Sequence, residues 1–165
     1  MVEDSQSGER TELGPYLKSH HADGDWEVFA DRQGVGVRGF GKSRDLSYTE
    51  AALALVAAVT EVSPSENTEP INIVCRASSD GALLRHLLTA VSGETVARRQ
   101  AFTRFAVNSH RHGLTAKAWG REASREEVER FCAIGHQPYA HEHVARDGEG
   151  NWMAQCVVDL PVTAE

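Results

Sequence analysis

The sequence predicts an α/β domain in which a mixed sheet of about five strands is covered by helices. Three observations carry this. Residues 51–62, Ala51 to Val62, are apolar on nearly every face, so a helix there must be buried rather than lie on a surface. Ile71-Asn72-Ile73-Val74-Cys75 is a short apolar-rich run of the kind found at the centre of a sheet. Near each end of the chain, partly alternating apolar runs flank a Gly-containing turn, which predicts two β-hairpins. At 165 residues and 41% hydrophobic content, the chain suffices for one domain with a real core.

Taken in order, residues 1–12 have almost nothing to bury, and 13–25 read as loop. A disordered acidic tail is therefore expected over 1–20 and a single α/β domain over 21–165. Trp26 to Ala30 and Val35 to Phe40 form the first hairpin. Ser47-Tyr48-Thr49-Glu50 is an S-x-x-E capping box that opens the buried helix. The strand Ile71–Cys75 follows. Ser79-Asp80 then starts a helix over 81–91, with Leu83, Leu84, Leu87 and Leu88 at helical spacing.

Ser92-Gly93 predicts a break. Glu94 to Ser109 reads as another helix, with Phe102, Phe105 and Ala106 as its apolar stripe and Gly113 as a C-cap. Leu114 to Gly120 alternates as a strand. Ser124-Arg125-Glu126-Glu127 is a second capping box, opening a helix to about residue 134. His141 to Ala145 and Trp152 to Leu160 make the last hairpin. The core is expected to include Leu53, Val56, Val59, Ile73, Leu84 and Phe105.

No apolar run approaches the ~20 residues of a membrane span, so no membrane partner is expected. Met1 to Thr11 lacks the apolar centre of a signal peptide, and a cytoplasmic location is the expectation. Cys75, Cys132 and Cys156 form no C-x-x-C pair and sit in apolar stretches, as buried reduced thiols do. No Walker loop, nucleophile elbow or H-E-x-x-H is present. Gly34-Val35-Gly36-Val37-Arg38-Gly39 resembles a dinucleotide loop only superficially: its third glycine comes one place early and no helix follows directly.

Charge is segregated. The chain carries a net −7, yet Arg76, Arg85, Arg98, Arg99, Arg104, Arg111, Lys117 and Arg121 face only Asp80 and Glu94 within residues 76–121. Such a segment is either neutralised by the acidic flanks or offered to an anionic partner. Arg98, Arg99, Arg104, Arg111 and Lys117, with Trp119 able to stack, are the candidates for contacting nucleic acid or an acidic protein surface. His110-Arg111-His112 and His141-Glu142-His143 are H-x-H pairs. On a strand, i and i+2 share a face, so His141 and His143, with His136 nearby, could chelate a metal. Surface histidines in polar turns are the commoner outcome.

Gly24 to Phe40, Ser47 to Val62 and Ile71 to Leu84 together resemble the ribonuclease H-like superfamily in element order, with the likeness spanning 26–131. The resemblance implies phosphodiester hydrolysis by two divalent cations, Mg²⁺ or Mn²⁺, held by carboxylates. Glu50 would be one ligand. Asp31 or Asp159, and one of Glu126, Glu127 and Glu129, would complete the set. The site is degenerate, because Cys75-Arg76-Ala77 stands where a metal-binding Asp is required and an arginine repels the cation. Capping alone also explains Glu50. The expected function is a small, non-catalytic intracellular binding module without cofactor, with a basic central face for nucleic acid or an acidic partner. The alternatives are a metal-dependent nuclease or other phosphodiester hydrolase, and an accessory interaction domain whose edge hairpins pair with a partner or form a homodimer.

Overall fold

The computed structural model describes residues 15–21, 24–32, 34–60, 69–134 and 139–158. Among these, the elements in order are β1 (Pro15–His21), β2 (Gly24–Asp31), β3 (Gly34–Gly41), α1 (Arg44–Val59), β4 (Ile71–Arg76), α2 (Asp80–Arg98), β5 (Gln100–His110), β6 (Gly113–Glu122), α3 (Arg125–Cys132), β7 (Tyr139–Arg146) and β8 (Trp152–Val158). They form three layers. One outer layer is a five-stranded sheet of order β1-β2-β3-β8-β7, and the other is a three-stranded sheet of order β4-β6-β5. α1 and α2 fill the space between, each touching strands of both sheets, and α3 packs beside them.

This arrangement explains the unusual composition of α1. A helix between two sheets has no solvent stripe, so Ala51, Ala52, Ala54, Leu55, Val56 and Val59 are all buried. Val56, Val59, Ile73, Leu84 and Phe105 are buried as expected, and Leu53 is half-buried. Small residues let the layers approach. At Gly39 an added Cβ would stand 2.2 Å from the Ala51 backbone nitrogen and 2.4 Å from the Ser47 carbonyl oxygen, so α1 lies directly on β3 there. On the outer side of the same strand, the Phe29 ring covers Gly36, leaving its would-be Cβ 2.2 Å from Cζ. Gly36 and Gly39, two of the three glycines that mimic a dinucleotide loop, are thus close-approach positions in a strand. No helix among the described residues is long and apolar enough to cross a membrane.

Four expectations are corrected. The sheet is not mixed: every strand pairing in both sheets is antiparallel. β4 is not central but, among the described residues, an edge strand bonded to β6 alone. Its buried residues are Ile71, Ile73 and Cys75, while Val74, 66% exposed, faces solvent between Asn72 and Arg76. An apolar residue on the wet face disguised the alternation. Part of the expected tail and loop is strand β1.

The fourth correction concerns residues 92–110. α2 runs through Ser92-Gly93 to Arg98 and ends at Arg99, whose φ of 57° supplies the left-handed cap. Helical glycine costs only about 1 kcal/mol, and buried Val91 and Thr95 on either side hold the turn. The expected helix over 94–109 is instead largely β5. A bulge between Phe102 and Arg104 lets both Phe102 and Phe105 face inward. Their spacing of three therefore imitates a helical stripe.

Candidate functional site

The three-stranded sheet separates its two faces completely. Ile71, Ile73, Cys75, Phe102, Phe105, Leu114, Ala116 and Ala118 point to the helices. The opposite face is open. Across it, Arg104 lies beside Trp119, Ala106 beside Lys117 and Asn72, and Asn108 beside Thr115 and Val74, with His110 and Arg76 flanking Gly113 at the end. All of these side chains are exposed except Trp119, which is half-buried, and Gly113, which has none. Its ring is covered by the Arg104 guanidinium, 3.8 Å from the centroid. Basic groups stand on this face at Arg76, Arg104 and Lys117, and among the described residues no Asp or Glu occupies the ladder positions beside them.

The structure divides the remaining basic candidates. Arg98 and Arg99 sit where α2 meets β5, and Arg111 sits in the β5–β6 turn. The length of β5 separates them, about 30 Å at ~3.3 Å per residue. Arg98 pairs with Glu94 at 2.5 Å, Arg85 with Glu142 at 3.1 Å and Arg121 with Glu127 at 2.9 Å. The segment is therefore partly neutralised from within; of the other cations, Arg76 and Lys117 are exposed on the sheet face, and Arg99 and Arg111 are exposed off it.

The carboxylate candidates do not converge. α1 starts at Arg44, capped by the Ser43 hydroxyl, which accepts from the Leu46 N–H at 3.1 Å. Ser47 is inside the helix and donates to the Arg44 carbonyl, so Ser47–Glu50 is no capping box. Glu50 is buried in the second turn at 1% exposure, beside Gly24 at the start of β2. Asp31 lies at the other end of β2, roughly 23 Å away by strand rise. One metal pair cannot bridge them. Asp159 and His136 lie outside the described residues. Glu127 belongs to the second capping box, which forms as expected, and Glu126 and Glu129 are exposed on α3. Among the described residues no group of three or more His, Cys, Asp or Glu could hold a metal.

The His141–His143 pair is not laid out on a regular strand as expected. A bulge between Ala140 and His143 breaks the ladder, and His141 adopts a φ of 57°, so the regular i, i+2 alternation that the pairing assumed does not hold there. His112 likewise takes a φ of 62° in the turn after β5.

Residues 26–160 match the archease protein family, which is most of the chain. The chain belongs to the archease family. Relatives include the protein archease of Pyrococcus abyssi, 24% identical over 139 residues, covering 82% of this chain and 98% of the relative. That of Pyrococcus furiosus is 25% identical over the same length and coverage. The solution structure of Methanobacterium thermoautotrophicum protein 1598 has the same fold, with a TM-score of 0.59, 19% identity, and coverage of 82% of this chain and 98% of that one. A crystal structure from Thermotoga maritima, titled an archease and possible chaperone, aligns with a TM-score of 0.48 and 13% identity over 86% of this chain and 99% of that one.

Archease membership overturns the ribonuclease H-like resemblance. That likeness rested on element order, and the order changes once 94–109 is resolved into the end of α2 and strand β5. The nuclease alternative loses its support with it.

The archease core also settles the thiols. Cys75 and Cys156 are buried and Cys132 is exposed. Burial pushes the Cys75 thiol up, and burial with the nearby Glu142 carboxylate pushes Cys156 up to about 12. Native protein treated with iodoacetamide at mildly alkaline pH is expected to take one label, at Cys132. Cys75 and Cys156 should react only on denaturation, as peptide mass analysis would show.

The open face itself was half legible. Lys117, Trp119 and Arg104 were singled out by charge and aromaticity. Asn72, Val74, Asn108 and Thr115 were missed. The period-two pattern of Leu114 to Trp119, extended to Ile71–Arg76, was the signal that would have found them.

Proposed function

We propose that this chain is a non-catalytic accessory module, working in the cytoplasm, that acts on a partner through the open face of its three-stranded sheet. The observation that carries the reading is that face: exposed cations, Arg76 and Lys117, and apolar groups stand together on one sheet, and among the described residues no Asp or Glu occupies the ladder positions beside them. Archease membership supports it, since the family is associated with a chaperone or RNA-processing cofactor role. Glu50 and Asp31, the carboxylates best placed for catalysis by sequence, are held apart at opposite ends of β2.

The test uses an RNA-processing enzyme from the same cell, assayed with and without the purified chain. Turnover of that enzyme is expected to rise at least several-fold in the presence of the chain. The chain alone is expected to leave RNA and RNA–DNA hybrids intact in Mg²⁺ or Mn²⁺. Cleavage by the chain alone, abolished in Glu50→Gln, would overturn the non-catalytic reading.

A further inference from the structure

We propose that the open face of β4-β6-β5 is the seat of an acidic, amphipathic helix of a partner protein; this rests on the accessory reading and names the surface and the chemistry it takes. The two outer faces of the molecule behave differently, and the difference is the starting point. On the five-stranded sheet, charge is settled within the sheet. Arg38 donates to Glu27 at 2.8 Å and to Gln155 at 2.7 Å, and its guanidinium lies 4.3 Å over the Phe29 ring. On the three-stranded sheet, Lys117 occupies the middle strand between Asn72 and Ala106, and Arg76 stands beyond Val74 on the edge. Neither has a carboxylate across from it on this face.

A solvated sheet face is ordinarily polar. This one carries Val74 at 66% exposure, exposed Ala106 and half-buried Trp119. Apolar contact and positive charge are thus offered together. The face is low at Ala106 and Thr115, which are small, so a second layer can approach closely there. The inner face of the same sheet already receives helices in this way.

The dimensions suit a helix. Three strands span about 10 Å between the outer two, close to the ~10–12 Å width of a helix with its side chains. Side chains two apart along a strand are about 7 Å apart, and four helical residues rise ~6 Å. Lys117 and Arg76 stand two such steps apart, about 13 Å, with the Val74 row between them, so carboxylates at i and i+8, a rise of ~12 Å, would meet the two cations while an apolar stripe covers Val74 and Ala106. A second copy of the chain would bring cation against cation if it used this face, so the occupant is a different protein. Single-stranded nucleic acid fits less well. Arg98, Arg99 and Arg111 lie off the face at opposite ends of β5, leaving no continuous phosphate track, and the Trp119 ring is covered by Arg104.

The probe is a fluorescent helical peptide of about twenty residues, with a leucine stripe flanked by glutamates at i, i+4 and i+8. Binding is read by anisotropy, beside the same peptide with Gln for Glu, and an oligouridine of single-stranded RNA. The Glu peptide is expected to bind, and the Gln peptide about tenfold or more weaker. Lys117→Glu and Val74→Glu should each weaken the Glu peptide about tenfold, a factor equal to ~1.4 kcal/mol. Arg99→Glu, off the face, should change nothing. A peptide with Lys in place of Glu should recover binding to Lys117→Glu.

A Glu peptide that fails to bind, or binds equally to all these variants, overturns the proposal. So does oligouridine binding lost in Lys117→Glu, which would give the face to nucleic acid. The accessory reading fails separately: it falls if no RNA-processing enzyme responds to the chain while the peptide still binds. Activation that survives both Lys117→Glu and Val74→Glu upholds the accessory reading and removes this face.

Discussion

Gly39→Ala is expected to destabilise the protein by about 3 kcal/mol or more, because overpacking against backbone exceeds the usual 1–3 kcal/mol of a core insertion. The added Cβ would meet the Ala51 nitrogen at 2.2 Å and the Ser47 carbonyl oxygen at 2.4 Å. These are main-chain atoms of α1, so no rotamer change relieves the clash. α1 would have to lift off β3, and α1 also touches β2, β8 and β5. The strain therefore reaches both sheets. Against a total stability of about 5–15 kcal/mol, such a loss leaves little folded protein at physiological temperature. Gly93→Ala is the matched control. Gly93 lies within α2, and its added Cβ would meet nothing within 4 Å. It is expected to stabilise by about 0.5–1 kcal/mol. Urea melts of the two variants check both signs, and a Gly39→Ala midpoint near that of the parent would show that α1 does not rest on β3.

Glu127→Ala is expected to cost about 3–5 kcal/mol, the range for stripping one partner from a buried ion pair. The Glu127 carboxylate is 4% exposed and takes both outer nitrogens of Arg121, at 3.0 and 2.9 Å. It also accepts from the Ser124 N–H at 2.9 Å, while its own N–H donates to the Ser124 hydroxyl at 3.1 Å. The substitution leaves the Arg121 guanidinium, itself 14% exposed, without this partner and removes one arm of the α3 capping box. α3 is tied to the rest by buried Val128 and Phe131 and by Arg130, which donates to the Val59 carbonyl. Hydrogen exchange should therefore speed up over residues 125–132 before the sheets respond. Glu127→Gln, which keeps one acceptor, should lose less. Equal protection in all three proteins would show that the pair contributes nothing.

Local signals were legible where a single element carries its own explanation. Both hairpins form where turn chemistry and alternation place them, Ser79 caps α2, and the Ser124–Glu127 box opens α3. The apolar-all-round helix was rightly read as buried. What failed needed information from a distant strand. A spacing of three between Phe102 and Phe105 is helical by period, and only the bulge opposite β6 makes it a strand. Ser47-x-x-Glu50 matches a cap, but Ser43 lies one turn earlier and wins the end of α1. The division into two sheets was not legible, because strand partners are chosen by the packing of α1 and α2 between them. For the site, charge pointed to Arg104 and Lys117, while the register that sets Val74, Arg76 and Asn72 beside them belongs to the sheet alone.

The five-stranded sheet joins segments far apart in the sequence, β1 to β3 with β7 and β8. β3 pairs with β8, and Arg38 on one bonds Gln155 on the other across 117 residues of sequence. A ribosome delivers β1, β2 and β3 first, as a meander with one long edge unsatisfied. α1 then has only half a floor until β8 and β7 emerge and close that edge. The five-stranded sheet is therefore completed only after β8 has been made, by a long-range pairing that is slow to find. Until then the nascent chain presents β3 as a bare template for foreign strands.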